Sequence, residues 1–436
     1  MMLGWPRSNR MQTLATTYWK PVLDGPRAEA AWQAVRNVAI ALESVEDWSE
    51  HGGSLSGGAA GAAIFFGYLG KATGDEKALS TCRRLQDMAG GLLAEQPMGS
   101  GLFGGFPGIG WAASHLRDLL EPSSEDPASE IDDAMRLMLD RPEWQDSYDL
   151  IIGLVGHGAY ALERLETGAG REILSSVIKH LDRLAVPKYE GLAWFTPAGH
   201  LPQWQREFAP EGYWNLGLAH GIPGVLALLG GAIKADVESG IARRLLEGGM
   251  AWMAARKNPE GSQGWFGTSL PEGRGWTPQG SRLAWCYGDL GLAAALLMAS
   301  RDARRSDWEA DALRVARDAA KRPRETRGIR DAGLCHGTAG NALIFLRLYH
   351  ATGEACFLSA ALDHLDWTLE FQDPTKPCGG FPQHRMDDDN NPSMHYIPGL
   401  LEGSAGVALA LLASLTDLAP DWDRHLLVSL DPRSHA

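Results

Sequence analysis

Apolar residues recur along this chain in two kinds of segment. In the first, at 62–69, 109–120, 159–165, 225–233, 292–299, 342–349 and 407–415, nearly every position is apolar and Ala and Gly are frequent. That is the pattern of a helix buried on most of its faces. In the second, at 27–45, 77–93, 241–256, 308–321 and 356–371, apolar positions return at helical spacing with charges between them. Within 308–321 the apolar positions are Trp308, Ala312, Val315 and Ala319, which leaves Glu309, Arg314, Arg317 and Asp318 largely on other faces. These segments predict helices with one wet side.

Each dry segment follows a Gly-x-x-Gly step, at Gly58/Gly61, Gly105/Gly108, Gly153/Gly156, Gly221/Gly224, Gly288/Gly291, Gly337/Gly340 and Gly403/Gly406. Successive first glycines are 47, 48, 68, 67, 49 and 66 residues apart. The basic unit is therefore a helix pair, with longer loops in three intervals. Seven wet-sided helices alternating with seven dry ones predict an all-α fold, an (α/α) seven-fold toroid of two concentric layers with the dry set inside. We place the toroid at 27–418, an N-terminal extension at 1–26 and a C-terminal tail at 419–436. Glycine at each inner turn permits positive φ and close backbone approach, so that the turns can crowd at one end. Helix N-termini present N–H groups and partial positive charge there, which suits thiolates, carboxylates or a developing oxyanion. Function is expected at that end.

The rest of the sequence narrows the classes of function. With 44% apolar and 22% charged residues the chain is globular, and a net charge of −14 makes nucleic acid an unfavourable partner. Residues 1–26 lack the apolar core of a secretory signal, and the longest apolar stretches, such as 291–298, are too short to span a bilayer. Five scattered cysteines do not form a disulfide framework, so a reducing cytoplasm is the expected setting.

Aligning the turns on their first glycines concentrates the reactive side chains. Two positions before it stand Cys286 and Cys335, in the fifth and sixth repeats; one position before it stand His220, Tyr287, His336 and Glu402, in the fourth to seventh. The corresponding places in the first two repeats hold Ser56 and Gly57, and Phe103 and Gly104. Two thiolates and an imidazole are a common Zn²⁺ set, and three protein ligands leave the fourth tetrahedral position for a water or substrate. The plainer alternative makes Cys286 and Cys335 small buried residues and His336 a helix cap. Their separation of 49 residues, matching that of their glycines, favours the metal. Cys82 and Cys356 read as helix-core residues, and Cys378 as a loop thiol.

The motifs Leu218-Ala219-His220-Gly221-Ile222-Pro223-Gly224, Trp285-Cys286-Tyr287-Gly288 with Arg282 four before the cysteine, Leu334-Cys335-His336-Gly337 and Leu401-Glu402-Gly403-Ser404-Ala405-Gly406 together resemble the lanthionine synthetase C-like family, the lanthipeptide cyclases. The resemblance runs from about residue 54 to 415. It implies a seven-fold α/α toroid around a central Zn²⁺, held here by Cys286, Cys335 and His336. It also implies addition of a peptide Cys thiol across dehydroalanine or dehydrobutyrine, giving the thioether of lanthionine or methyllanthionine. A free thiol is mostly protonated at neutral pH and a metal favours its thiolate; attack at the β-carbon then produces an enolate to be stabilised and protonated.

His220 matches the family's proposed acid–base histidine, and its alternative is a capping or buried side chain. Asp149 matches the family's aspartate near that site, where it could orient His220, and reads equally as a helix cap. Arg282 and Tyr287 match positions near the metal that could hold the enolate or its carbonyl; Arg282 reads as well as a structural ion-pair partner. The role of Glu402 stays open. His157 stands where the family usually has an aliphatic residue and reads as a core histidine, with a second acid as the lesser alternative. The aromatic stretch 188–215 is either an inserted peptide-binding element or the packing of a long loop.

The resemblance further implies a dehydrated precursor peptide as substrate, a separate dehydratase acting first, and an exporter, in a complex peripherally associated with the membrane. No kinase-like or dehydratase region precedes the repeats, which favours a stand-alone cyclase. The competing readings are a relative that adds glutathione to dehydroamino acids and a zinc-containing scaffold without turnover. An α/α glycosidase would need a pair of acids and no thiolate site.

Overall fold

The computed structural model describes residues 18–431 except 46, 123, 276 and 387–390. Most of them lie in α-helices. The polar-faced set comprises α1 (Gly25–Glu43), α3 (Glu76–Glu95), α5 (Ser129–Leu139), α7 (Gly168–Leu184), α10 (Ser239–Ala254), α12 (Ser306–Ala320) and α14 (Ala355–Glu370). The apolar set comprises α2 (Ala59–Thr73), α4 (Phe106–Leu120), α6 (Leu154–Glu163), α9 (Ile222–Lys234), α11 (Asp289–Asp302), α13 (Thr338–Thr352) and α15 (Ser404–Leu415). One short helix, α8 (Gln203–Phe208), belongs to neither. The patterning is expressed in the burial: every residue of α9 from Ile222 to Ile233 is buried, whereas α12 buries Ala312, Val315 and Ala319 and exposes Asp307, Arg314 and Asp318. Glu309, expected on a wet face, is buried, and Arg301 Nε donates to it at 2.9 Å.

The apolar helices pack in a cycle. Each touches the next in the series α2, α4, α6, α9, α11, α13, α15, and α15 returns to α2. Most polar-faced helices dock on the apolar helix that precedes them in sequence, and α1, which has none, docks on α15. The structural unit is thus turn, dry helix, wet helix, and the two ends of the chain close the cycle. Trp19 reinforces the closure: it is fully buried and its indole N–H donates to the Ala413 carbonyl at 2.7 Å.

The seven turns are stitched together by backbone bonds at the position two before each first glycine. Ser56 N–H donates to Phe103 O at 2.8 Å, Phe103 to Ile151, Ala219 to Cys286, Cys286 to Cys335 at 3.1 Å, Cys335 to Leu401 at 2.9 Å, and Leu401 back to Ser56. Leu150 N–H to Ala219 O completes the circuit. A ladder of this kind satisfies backbone groups that the turns would otherwise leave unpaired.

Close approach explains the glycines better than positive φ does. Each first glycine is the N-cap of its dry helix, and only Gly288 has positive φ, at 107°. A Cβ on Gly61, Gly340 or Gly406 would lie 2.2, 1.9 or 1.8 Å from the carbonyl oxygen of Leu55, Leu334 or Leu400. No side chain fits there.

One sequence expectation needs correction, and two segments that the sequence left open or set apart prove to pack with the core. The fold is not purely α: short strands occur among the described residues, and all of them fall in the three long intervals. β1 (Val186–Lys188) pairs with β2 (Gly191–Ala193), β3 (Phe195–Pro197) and β5 (Ser269–Pro271) flank β4 (Gly212–Asn215), and β6 (Gln383–Met386) pairs with β7 (Pro392–His395), all antiparallel. Long connections carry backbone groups that must be satisfied, and here they satisfy one another. The stretch 188–215 is not a separate insert, since β4 is completed by β5 from the next interval and Trp194 and Trp214 belong to the main core.

The segment 419–431 is not a loose tail. A 3₁₀ turn at Asp421–Leu426 buries Trp422, Asp423, His425 and Leu426, and the His425 ring packs on Phe103 and Trp111. Asp423 pairs with Arg347 of α13, Nε to Oδ2 2.6 Å, both fully buried. The remainder of that tail, 432–436, and residues 1–17 of the N-terminal extension lie outside the described residues. Within the extension, α1 already begins at Gly25 and Trp19 is core.

Candidate metal centre

The backbone bond from Cys286 to Cys335 brings the fifth and sixth turns side by side, and His336 follows Cys335 directly. One ligand atom each from Cys286, Cys335 and His336 lies within 4.8 Å of the others, the one such group among the described residues. Cys286 is buried and the other two are partly so. The donor set fits a metal. His336 Nδ1 is buried without a hydrogen-bond partner, while Nε2 lies 3.4 Å from Asp331 Oδ2, an arrangement in which Asp331 would hold a ring proton on Nε2 and leave Nδ1 as ligand atom when a metal is bound. Hydrogen bonding from Cys335 holds the Cys286 thiol well below its usual range, and the same bond pushes Cys335 up. Arg282 Nη2, 3.4 Å from Cys286 Sγ, adds to the pull on Cys286. Arg282 forms no ion pair with a carboxylate among the described residues, so the structural alternative for it finds no support.

His220 stands on the adjacent turn. Its Nδ1 is 2.6 Å from Asp149 Oδ2, and the side chain is 42% exposed against 8% for Asp149. Burial works to lower the His220 pKa, but the hydrogen bond and charge of Asp149 outweigh it and the net shift is upward. Asp149 does not cap α6, whose N-cap is Gly153 without a side-chain cap bond; its Oδ1 instead accepts the Ile152 N–H at 2.8 Å in the turn before that helix. The Tyr287 ring faces His220 at 6.3 Å with 26° between planes. Burial raises the Tyr287 phenol above its ordinary range, so it is a neutral hydroxyl.

Glu402 reaches the same mouth, its Oε1 4.0 Å from His336 Nδ1; Gln383 Nε2 donates to its other oxygen and Arg385 lies 3.7 Å away. The β6–β7 hairpin therefore fixes this carboxylate. His157 is elsewhere: fully buried, its Nε2 2.8 Å from the Ser100 carbonyl, with burial lowering its pKa to about 4. Cys82 is buried in α3, Cys356 lies in the first turn of α14, and Cys378 sits in a short 3₁₀ turn.

Two site residues escape the sequence reading, Asp331 and Asn215. Asp331 Oδ2 accepts the His384 N–H at 3.1 Å and Oδ1 the Gly333 N–H at 3.3 Å, which fixes the carboxylate behind His336. Asn215 Nδ2 donates to Tyr287 Oη at 2.9 Å. A signal for both exists in the sequence. Asn215, Arg282 and Asp331 each stand six before the first glycine of their turn, in the fourth, fifth and sixth repeats.

Residues 49–427 match the sequence profile of the lanthionine synthetase C-like protein family. The chain belongs to that family. Among solved structures it is similar to one described as nisin cyclase, with a TM-score of 0.72 and 19% sequence identity over 92% of this chain and 98% of that one. At this identity the likeness is one of fold. For this member of the lanthionine synthetase C-like family, no described helix is long and apolar enough to cross a membrane.

Proposed function

We propose that the protein is a Zn²⁺-dependent lanthipeptide cyclase, a seven-fold α/α toroid that adds peptide Cys thiols to dehydroalanine or dehydrobutyrine. The observation that carries this reading is the convergence of Cys286, Cys335 and His336 within 4.8 Å beside the His220–Asp149 pair. Family membership and the cyclic packing of the dry helices support it.

In this reading Cys286, Cys335 and His336 would hold the metal, and a Zn²⁺ bound there would favour the thiolate form of the incoming thiol. Asp331 fixes the tautomer of His336. The thiol would lose its proton to solvent, its sulfur would bond to the β-carbon, and the electron pair of the double bond would move toward the carbonyl oxygen. Tyr287 and Arg282 would stabilise that oxygen. His220, kept protonated by Asp149, delivers a proton to the α-carbon, so the elements of the thiol have added across the double bond and solvent later returns a proton to His220. Glu402, beside the liganding nitrogen of His336, lines the entrance.

The substrate is then a dehydrated precursor peptide, which requires a separate dehydration step upstream; placement in the cytoplasm, in a membrane-associated complex with the dehydratase and an exporter, belongs to the same proposal. Cyclisation leaves mass unchanged, so the test is thiol alkylation of a dehydrated Cys-containing peptide. Loss of alkylable thiol, dependent on Cys335 and His220, is expected. A glutathione adduct on the peptide would move the reading to an intermolecular thiol addition. Persistent thiols with tight peptide binding would favour a scaffold.

A further inference from the structure

Behind Tyr287 lies a hydrogen-bonded series that the roles above leave unused. Asn215, at the end of β4, is 1% exposed. Its Oδ1 accepts the Gly217 N–H at 2.8 Å, which fixes the orientation of the amide and commits both of its N–H groups as donors. One goes to Tyr213 Oη at 3.2 Å and the other to Tyr287 Oη at 2.9 Å. Tyr213 in turn donates its own hydrogen to Gln205 Oε1 of α8 at 3.0 Å.

The directions in this series are therefore set from the backbone outward. Each phenol oxygen accepts from Asn215. No carboxylate or carbonyl among the described residues takes the hydrogen of Tyr287. The Tyr213 hydroxyl is within hydrogen-bond reach of it, but that oxygen already accepts from Asn215 and donates to Gln205 and is a poorer acceptor than a developing oxyanion. The Tyr287 ring, partly exposed, borders the mouth alongside His220.

The repeat register gives independent support. Arg282 and Asp331, which share with Asn215 the place six before a first glycine, each contact a side chain one or two before such a glycine, Cys286 and His336. Tyr287 is also one before. One column of the repeat thus backs the reactive column in three successive turns.

We propose that Asn215 is a positioning residue that keeps Tyr287 a hydrogen-bond donor toward the carbonyl oxygen of the dehydroamino acid while the sulfur attacks. The assignment rests on the thiol-addition reading above. Asn215→Asp tests it, because the carboxylate has the same shape, still accepts from Gly217, and offers the phenol only acceptors, so the hydrogen of Tyr287 turns away from the mouth. The assay is the alkylation time course on a dehydrated peptide, with bound zinc and the thermal midpoint measured on the same protein.

The expected result is a fall in kcat of about 10²-fold, the lower end of the scale for losing one donor to a developing oxyanion. KM and zinc content stay unchanged, and Asn215→Asp makes no further difference in a Tyr287→Phe background. Asn215→Ser, which removes the two donors without adding charge, is carried through the same cycle in case the aspartate disturbs folding. Unchanged kcat in both variants, or losses that add in full to that of Tyr287→Phe, would overturn the proposal. An inactive wild-type protein would bring down the parent reading and this one together, whereas an active wild type with additive losses overturns the role of Asn215 alone.

Discussion

Cys286 and Cys335 are 49 residues apart in sequence and adjacent in space because their turns are consecutive members of one backbone ladder. A repeat register is therefore enough to find them, with His336, before any coordinates. Asp331 and Asn215 are harder to see: an aspartate or asparagine in a loop has many uses, and only the shared column with Arg282 marks them. The His220–Asp149 pair makes a prediction about pH. Because Asp149 raises the His220 pKa above 6.5, the acid form persists above that pH, and the alkaline fall of kcat/KM lies higher than an isolated histidine would place it. Asp149→Asn removes the charge, so this limb moves to lower pH while the acidic side is unaffected; the pH profile of thiol consumption reads the shift. A limb that stays put would separate Asp149 from the acid.

Helix identity was legible from periodicity, and helix partnership was not. Nothing in the pattern of α3 says whether it docks on the dry helix before it or after it, since both offer an apolar face. The strands were hidden for a related reason: β1 to β7 span three or four residues each, too short for alternation to register. Glycine roles separate cleanly by surroundings. Gly406→Ala would drive a methyl group to 1.8 Å from the Leu400 carbonyl and is expected to cost about 1–3 kcal/mol as an overpacking change. Gly90→Ala, on the exposed face of α3 with nothing within 4 Å of the new carbon, should stabilise by about 0.5–1 kcal/mol. Urea unfolding of the two variants beside wild type decides, and equal effects would contradict the steric account.

Closure of the ring draws on both ends of the chain, which composition alone concealed. Trp19 seals α15 from one end, and from the other the 421–426 turn enters the core, with Trp285 Nε1 donating to the Leu426 carbonyl at 2.8 Å beside Cys286. The apolar run Leu426, Leu427, Val428 and Leu430 was the available sign that the 421–430 stretch would not remain in solvent. Arg347→Met leaves Asp423 buried without its partner and is expected to cost about 3–5 kcal/mol, read by urea unfolding; a loss below about 1 kcal/mol, the range of exposed pairs, would show that the segment is not anchored there.

The metal centre is the hinge of the functional account, and zinc K-edge absorption of the purified protein, alone and with a Cys-containing dehydrated peptide, examines it directly. The account predicts two sulfur neighbours near 2.3 Å and a nitrogen at about 2.0–2.1 Å, with a third sulfur appearing when the peptide is added. A shell of nitrogen and oxygen only, or a sulfur count that the peptide leaves unchanged, would contradict it.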